Sequence, residues 1–357
     1  MMKKFIPFIF LVFVLFVSCQ SYKKGNTVIP EIITPEVITA KTKYDTDDPA
    51  IWINPNDISK SLIIGTDKDS DGALYVYDLQ GNIVNIVADL KRPNNVDVAY
   101  GMAVGDSLFD IAVATERETN SIRIFSLPDM KALDNGGIPV FVDQPQRAPM
   151  GIALYTKKDS FGNNRIYAIV SRKEGPIDGY LFQYLLKSDS LGIVTGELVR
   201  QFGKYSGKKE IESVAVDNEL GFVYYSDEQT GVRKYHADPA LGNEELALFA
   251  DSGFKEDNEG ISIYKKDQNK GYILVSNQSK NSFMVYPREG KGGNPHLHPL
   301  IAEIPVKATQ SDGSDVSNMN FGEPFTEGIF VAMSDDKTFH FYDWRKFQKL
   351  IDEMSEK

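Results

Sequence analysis

The sequence of 357 residues holds a single cysteine, Cys19. No disulfide can form within the chain, and a thiol nucleophile past residue 19 is excluded. Histidine is nearly as scarce: His236, His296, His298 and His340 are the whole set. Their spacing does not make a zinc site, and His296 and His298 read as loop residues. Positive charge is in deficit, with Lys+Arg 39 against Asp+Glu 50 and a formal net charge of −11. That balance argues against binding nucleic acid or an anionic membrane surface. A polyanionic ligand would be repelled unless bound cations inverted the local field. Long apolar runs are missing everywhere except near the start.

That one run, residues 5–17, follows Lys3 and Lys4 and is followed by Ser18-Cys19. It is too short for a permanent transmembrane helix and has the layout of an export signal. A small residue before a cysteine at this point resembles the bacterial lipoprotein lipobox, with Phe16 where leucine is usual. The resemblance implies cleavage before Cys19 and lipidation of its thiol. The expected organisation is a signal peptide over 1–18, a polar tether over 19–28, and one domain over 29–357. The expected product is an exported, membrane-anchored bacterial lipoprotein, periplasmic or at the cell surface.

Past residue 40 the chain is strand-like nearly to its end. One loose pattern recurs six times: an apolar strand, a polar turn, then a second strand rich in Tyr or Phe. Ile63-Ile64 pairs in this way with Tyr75-Val76-Tyr77, and Phe330-Val331 with Phe339-His340-Phe341. The repeat interval of roughly 45 to 60 residues is that of propeller blades. A further apolar strand precedes each hairpin and another follows most, which makes four strands per unit. The expected fold is therefore all-β, a six-bladed β-propeller with four-stranded blades. The sixth unit lacks a convincing fourth strand and runs into a short amphipathic helix at 344–351. The segment 28–39, with Val28-Ile29 and Val37-Ile38-Thr39, is expected to supply that strand and close the ring.

In a propeller the inner strand starts, and the second strand ends, on one face. The residues at those ends should gather on one rim. Before the inner strands stand Asp47, Asp48, Asn94, Asn95, Asp97, Glu210, Glu212, Asp257, Glu259, Asp312 and Asp315. After the second strands stand Asp67, Lys68, Glu116, Arg117, Arg172, Lys173, Asp227 and Glu228, among others. Oxygen donors without His or Cys favour Ca²⁺ or Mg²⁺ over zinc. A cationic sector of Lys68, Arg117, Arg172 and Lys173 beside them suits a phosphate ester. Any one loop carboxylate taken alone is more simply a turn or capping residue.

The runs Tyr-Asp-Thr-Asp-Asp-Pro-Ala-Ile-Trp at 44–52 and Asn-Asn-Val-Asp-Val at 94–98 resemble the two signature motifs of β-propeller phytases. Glu-Ile-Glu-Ser-Val-Ala at 210–215, Ser-Asp-Glu at 226–228 and Asp-Asn-Glu-Gly-Ile-Ser-Ile-Tyr at 257–264 resemble the family too. The resemblance spans nearly the whole chain after residue 40. It implies a calcium-dependent 3-phytase-type phosphomonoesterase acting on inositol hexakisphosphate or its calcium complex; separately, a monomer is expected. It implies calcium ligands at Asp47, Asp48, Glu212, Glu228, Asp257, Glu259 and Asp312. It implies phosphate contacts from Lys68, Arg117, Tyr155 and Lys173, and catalytic roles for Glu212, Asp257 and Lys173 around a metal-activated water. The Arg-His-Gly signature of histidine acid phosphatases is absent. Two departures stand out: Ser213 where the family has glycine, and a thinner acidic stretch ahead of Asp312. A calcium-dependent propeller lactonase or esterase, and a binding propeller without activity, are the rival readings.

Overall fold

The second strand of each blade explains the architecture. In Leu62–Asp67 both Ile63 and Ile64 are fully buried. Ile63 packs with Ile329, Val331 and Phe339, and Ile64 with Ala112, Ala114 and Phe125. Successive residues of a strand point to opposite faces, so this sheet is covered on both sides. The computed structural model, which describes residues 1–2 and 31–355, shows why. Six antiparallel sheets of four strands each stand in a ring. Each hydrophobic cluster lies between two neighbouring sheets, and the cluster joining blade six to blade one completes the circle.

The innermost strands are Thr46–Trp52, Pro93–Val104, Pro149–Lys158, Val214–Asp217, Asn258–Lys265 and Ser314–Ser317. Blade six takes its outer strand from the other end of the sequence. Val37–Ile38 pairs antiparallel with Thr338–Asp343, Val37 opposite Phe341 and Ile38 opposite His340. The expected ring closure is thus made by Val37-Ile38; Val28-Ile29 lies outside the described residues, as does Cys19. Further back, the Ile33 amide donates to the Pro305 carbonyl at 2.9 Å, tying the same segment to blade five. The helix Trp344–Ser355 buries Trp344, Phe347, Leu350 and Ile351 against blades five and six.

Around the central channel, inner-strand side chains staple each blade to the next. Asp315 accepts the Ile51 amide at 2.8 Å, Asp48 the Val96 amide at 3.1 Å and Asp97 the Leu154 amide at 2.7 Å. Between blades four and five the acceptor is the Ser213 hydroxyl, 2.8 Å from the Ile261 amide. The channel they line encloses about 240 Å³. No described helix is long and apolar enough to cross a membrane.

Candidate metal and phosphate site

The inner strands begin irregularly. The register of Thr46–Trp52 against Leu62–Asp67 slips between Thr46 and Pro49, and Asn258–Lys265 slips between Asn258 and Ile261. A bulge re-aims consecutive side chains, so adjacent acids part company. Asp47 turns to the rim and Asp48 turns into the channel, where Asp97 and Asp315 also lie. The expectation of one shared rim is corrected here: Asp48, Asp97 and Asp315 belong to the hub of the propeller. Close packing of the next blade makes the bulges possible. A side chain at Gly260 would strike the Asp312 carbonyl, and one at Gly313 would strike Asp47 and Asp48.

On the rim the structure brings together Asp47, Glu212 and Asp312 around one lysine. The Lys68 ammonium lies 2.5 Å from Asp47 Oδ1, 3.4 Å from Asp312 Oδ2 and 3.7 Å from Glu212 Oε1. Asn94 donates to Glu212 Oε1 at 2.6 Å, and Arg117 donates to Asn94 Oδ1 at 3.0 Å. Gln278 donates to the other Asp312 oxygen. Burial pushes the Asp47 and Asp312 carboxyls upward, opposed mainly by Lys68. The surrounding carboxylates hold the Lys68 ammonium above its ordinary value despite burial.

A second cluster adjoins the first. Oxygens of Glu228, Asp257 and Glu259 lie within 4.8 Å of one another, and so do oxygens of Glu210, Glu212 and Glu228. Glu228 therefore belongs to both groups. Burial drives Glu228 up to about 8, and burial with neighbouring carboxylates drives Glu259 well above the usual range. Here too a lysine stands among the acids: Lys209 Nζ is 2.5 Å from Asp257 Oδ2 and 2.9 Å from Glu228 Oε2. Gln229 donates to the remaining Asp257 oxygen at 2.9 Å.

Several of these buried oxygens have no hydrogen-bond partner, Asp47 Oδ2, Glu228 Oε1 and Glu259 Oε2 among them, and Glu228 Oε2 meets only the Lys209 ammonium. Buried carboxylate oxygens without donors are costly unless a cation serves them. The donors are hard oxygens, with no His or Cys among them, which fits Ca²⁺ and not zinc.

The phosphate-contact expectations divide. Lys68, Arg117 and Lys173 are at the rim, with Lys173 Nζ 2.6 Å from Glu210 Oε2 and its side chain 44% exposed. Tyr155 is not there. Pro149, opposite Arg172, marks the rim end of its strand, and Tyr155 pairs with Tyr167 six residues further on, roughly 20 Å away at 3.3 Å per residue. It is buried between blades three and four. A phosphate contact from Tyr155 is incompatible with that place. Arg172 is also withdrawn from the cationic sector. It is fully buried beside Phe141, Phe182 and Tyr180, and its guanidinium donates to the Gln146 carbonyl at 3.3 Å. Lys209, which sequence reasoning passed over, enters the site because it directly precedes Glu210 on the same loop.

Ser213, the residue that departs from the family's glycine, is explained by its staple to Ile261 and does not disturb Glu212. Asp312 also stands in the first cluster despite the thin acidic stretch before it.

Comparison with known proteins agrees with this geometry. The chain is 28% identical over 343 residues to a protein described as a 3-phytase from Bacillus subtilis (strain 168), covering 89% of this chain and 86% of that one. A structure described as the Dos1 propeller aligns at 11% identity and a TM-score of 0.43, covering 84% of this chain and 68% of its own, too remote to be informative. The family model for phytase matches residues 12–344. The chain belongs to the phytase family.

Proposed function

We propose that this chain is a calcium-dependent hydrolase that releases phosphate from myo-inositol hexakisphosphate, free or as its calcium complex. The observation that carries this reading is the rim itself. Buried carboxylates with unpartnered oxygens stand beside three cationic side chains, Lys68 among the acids, Arg117 on Asn94 and Lys173 at the surface. Asp47, Glu212 and Asp312 would hold metal in the first cluster, and Glu228, Asp257 and Glu259 in the second. Bound calcium supplies charge neutralisation and a more acidic water for attack on phosphorus.

The chain's own residues supply position. Lys173 and Arg117 flank the carboxylates and would take phosphate oxygens, Arg117 with its planar fork and Lys173 as a point charge. Asn94 links Arg117 to Glu212, so the phosphate-binding and metal-binding halves share one hydrogen-bonded frame. Fixed donors aimed at the phosphoryl oxygens stabilise charge as it moves to the leaving group. A rim lined with acids would repel phytate in chelator and attract it once cations are bound.

Phosphate release from phytate, measured with calcium and then with chelator, tests this. Release with calcium and none with chelator is expected. No release under calcium would leave the lactonase or binding-propeller readings standing, and release persisting in chelator would remove the metal.

Export and lipid anchoring rest on residues 5–17 and Ser18-Cys19 and are part of the same proposal. Cys19→Ala should move the protein from the membrane fraction to the soluble one; an unchanged distribution removes the anchor. A monomer is proposed, checked by light scattering.

A further inference from the structure

Two lysines stand among rim carboxylates, and they are held differently. Lys68 contacts three acids and its side chain is 14% exposed. Lys209 also reaches three, Asp257, Glu228 and, at 3.8 Å, Glu259, but its side chain is 38% exposed. Its backbone carbonyl is held by a hydrogen bond donated from the Tyr205 hydroxyl. Only the flexible stem of Lys209 is free to move.

Its ammonium nitrogen lies 2.5 and 2.9 Å from carboxylate oxygens. Calcium takes oxygen ligands at about 2.3–2.6 Å. The nitrogen thus fills the volume that an ion would need, and two cations cannot share it. Glu228 and Glu259 are 0% and 2% exposed, and an oxygen of each lies within 4.8 Å of the other and of an Asp257 oxygen. Without either cation, three buried carboxylates would face one another unpaired, which burial makes costly.

We infer that Lys209 is a tethered cation that alternates with a divalent metal ion. Its ammonium neutralises the Glu228–Asp257–Glu259 cluster in the metal-free protein and withdraws to solvent when the ion enters. This rests on the metal reading of the rim. The lysine preserves the fold when calcium is scarce and lowers the apparent affinity of that one site. If the pocket is free of the ammonium about a tenth of the time, apparent affinity drops about tenfold.

Two measurements on the whole protein test it. Wild-type protein is treated with an amine-acetylating reagent in chelator and in calcium, and modification is mapped by mass spectrometry against the exposed Lys131. Calcium should raise Lys209 labelling about tenfold; unchanged or reduced labelling with calcium bound overturns the inference. Calcium titration calorimetry then compares Lys209→Met, Lys209→Arg and wild type. Lys209→Met should bind at one site about tenfold more tightly and melt lower in chelator, while Lys209→Arg keeps the wild-type affinity. Equal affinity for Met and wild type overturns it. The labelling experiment needs no variant and decides the question even if Lys209→Met fails to fold. Should wild type take up no calcium, the metal reading falls first, and the inference with it.

Discussion

At the last residue of each second strand the side chain holds the loop arriving from the preceding blade. Asp67 accepts the Tyr44 and Asp45 amides, Glu116 the Lys91 amide, Asp227 the Ser206 amide and Asn277 the Lys255 amide. Arg172 does the same work in reverse, donating to a loop carbonyl. The sequence marks these positions as rim acids, and so they are, but they face backbone and not ligand. A carboxylate that accepts amides and one open to a metal look alike in a sequence; one residue of register decides between them. The clustered acids were legible because Asp47, Glu212, Asp257 and Asp312 recur at inner-strand starts. Tyr155 was misplaced because an aromatic on a strand carries no sign of depth along it. Two predictions belong here. Asp67→Ala should cost about 1–3 kcal/mol in urea unfolding, through the stranded amides of Tyr44 and Asp45. Lys173→Ala should lower kcat/KM on phytate about 100-fold with an unchanged unfolding midpoint; a normal rate would take Lys173 out of the site.

Among the elements, the strand Val37–Ile38 is only two residues long, yet it closes blade six. Its flanks help: the Glu36 amide donates to Phe341, the Thr39 amide donates to Phe339, and the Phe339 amide donates back to Thr39 Oγ1. The sequence signalled this strand by a deficit, a sixth unit one strand short, more than by its own short apolar run. The bulges at the inner-strand starts were not legible, because they depend on close approach between neighbouring blades, at Gly260 within one bulge against Asp312 and at Gly313 against Asp47 and Asp48. Thr39→Pro removes both bonds to Phe339 and should cost about 2–4 kcal/mol. An unchanged thermal midpoint would show that the ring holds without its outer strand.

For the whole molecule the hub carries a charge problem. Burial raises Asp97 to about 7 and Asp315 to about 6, from 3.8. A carboxyl with a raised folded value binds its proton more tightly folded than unfolded. The unfolded chain therefore loses that proton first, and stability falls as pH rises from about 4 to about 7. In chelator the thermal midpoint should decline across that window, and Asp97→Asn should flatten the decline; an equal slope in the variant would clear Asp97 of the effect. The seam of the ring has another consequence. The start and finish of the described domain meet at blade six, where Lys346 pairs with Glu36 and donates to the Thr34 carbonyl at 2.8 Å. A short linker joining residues 31 and 355, with new termini opened at the exposed turn of Gly105 and Asp106, would give a circular permutant with every blade interface intact. Such a permutant should keep its rim chemistry, since no residue of either carboxylate cluster lies at the old seam or the new one.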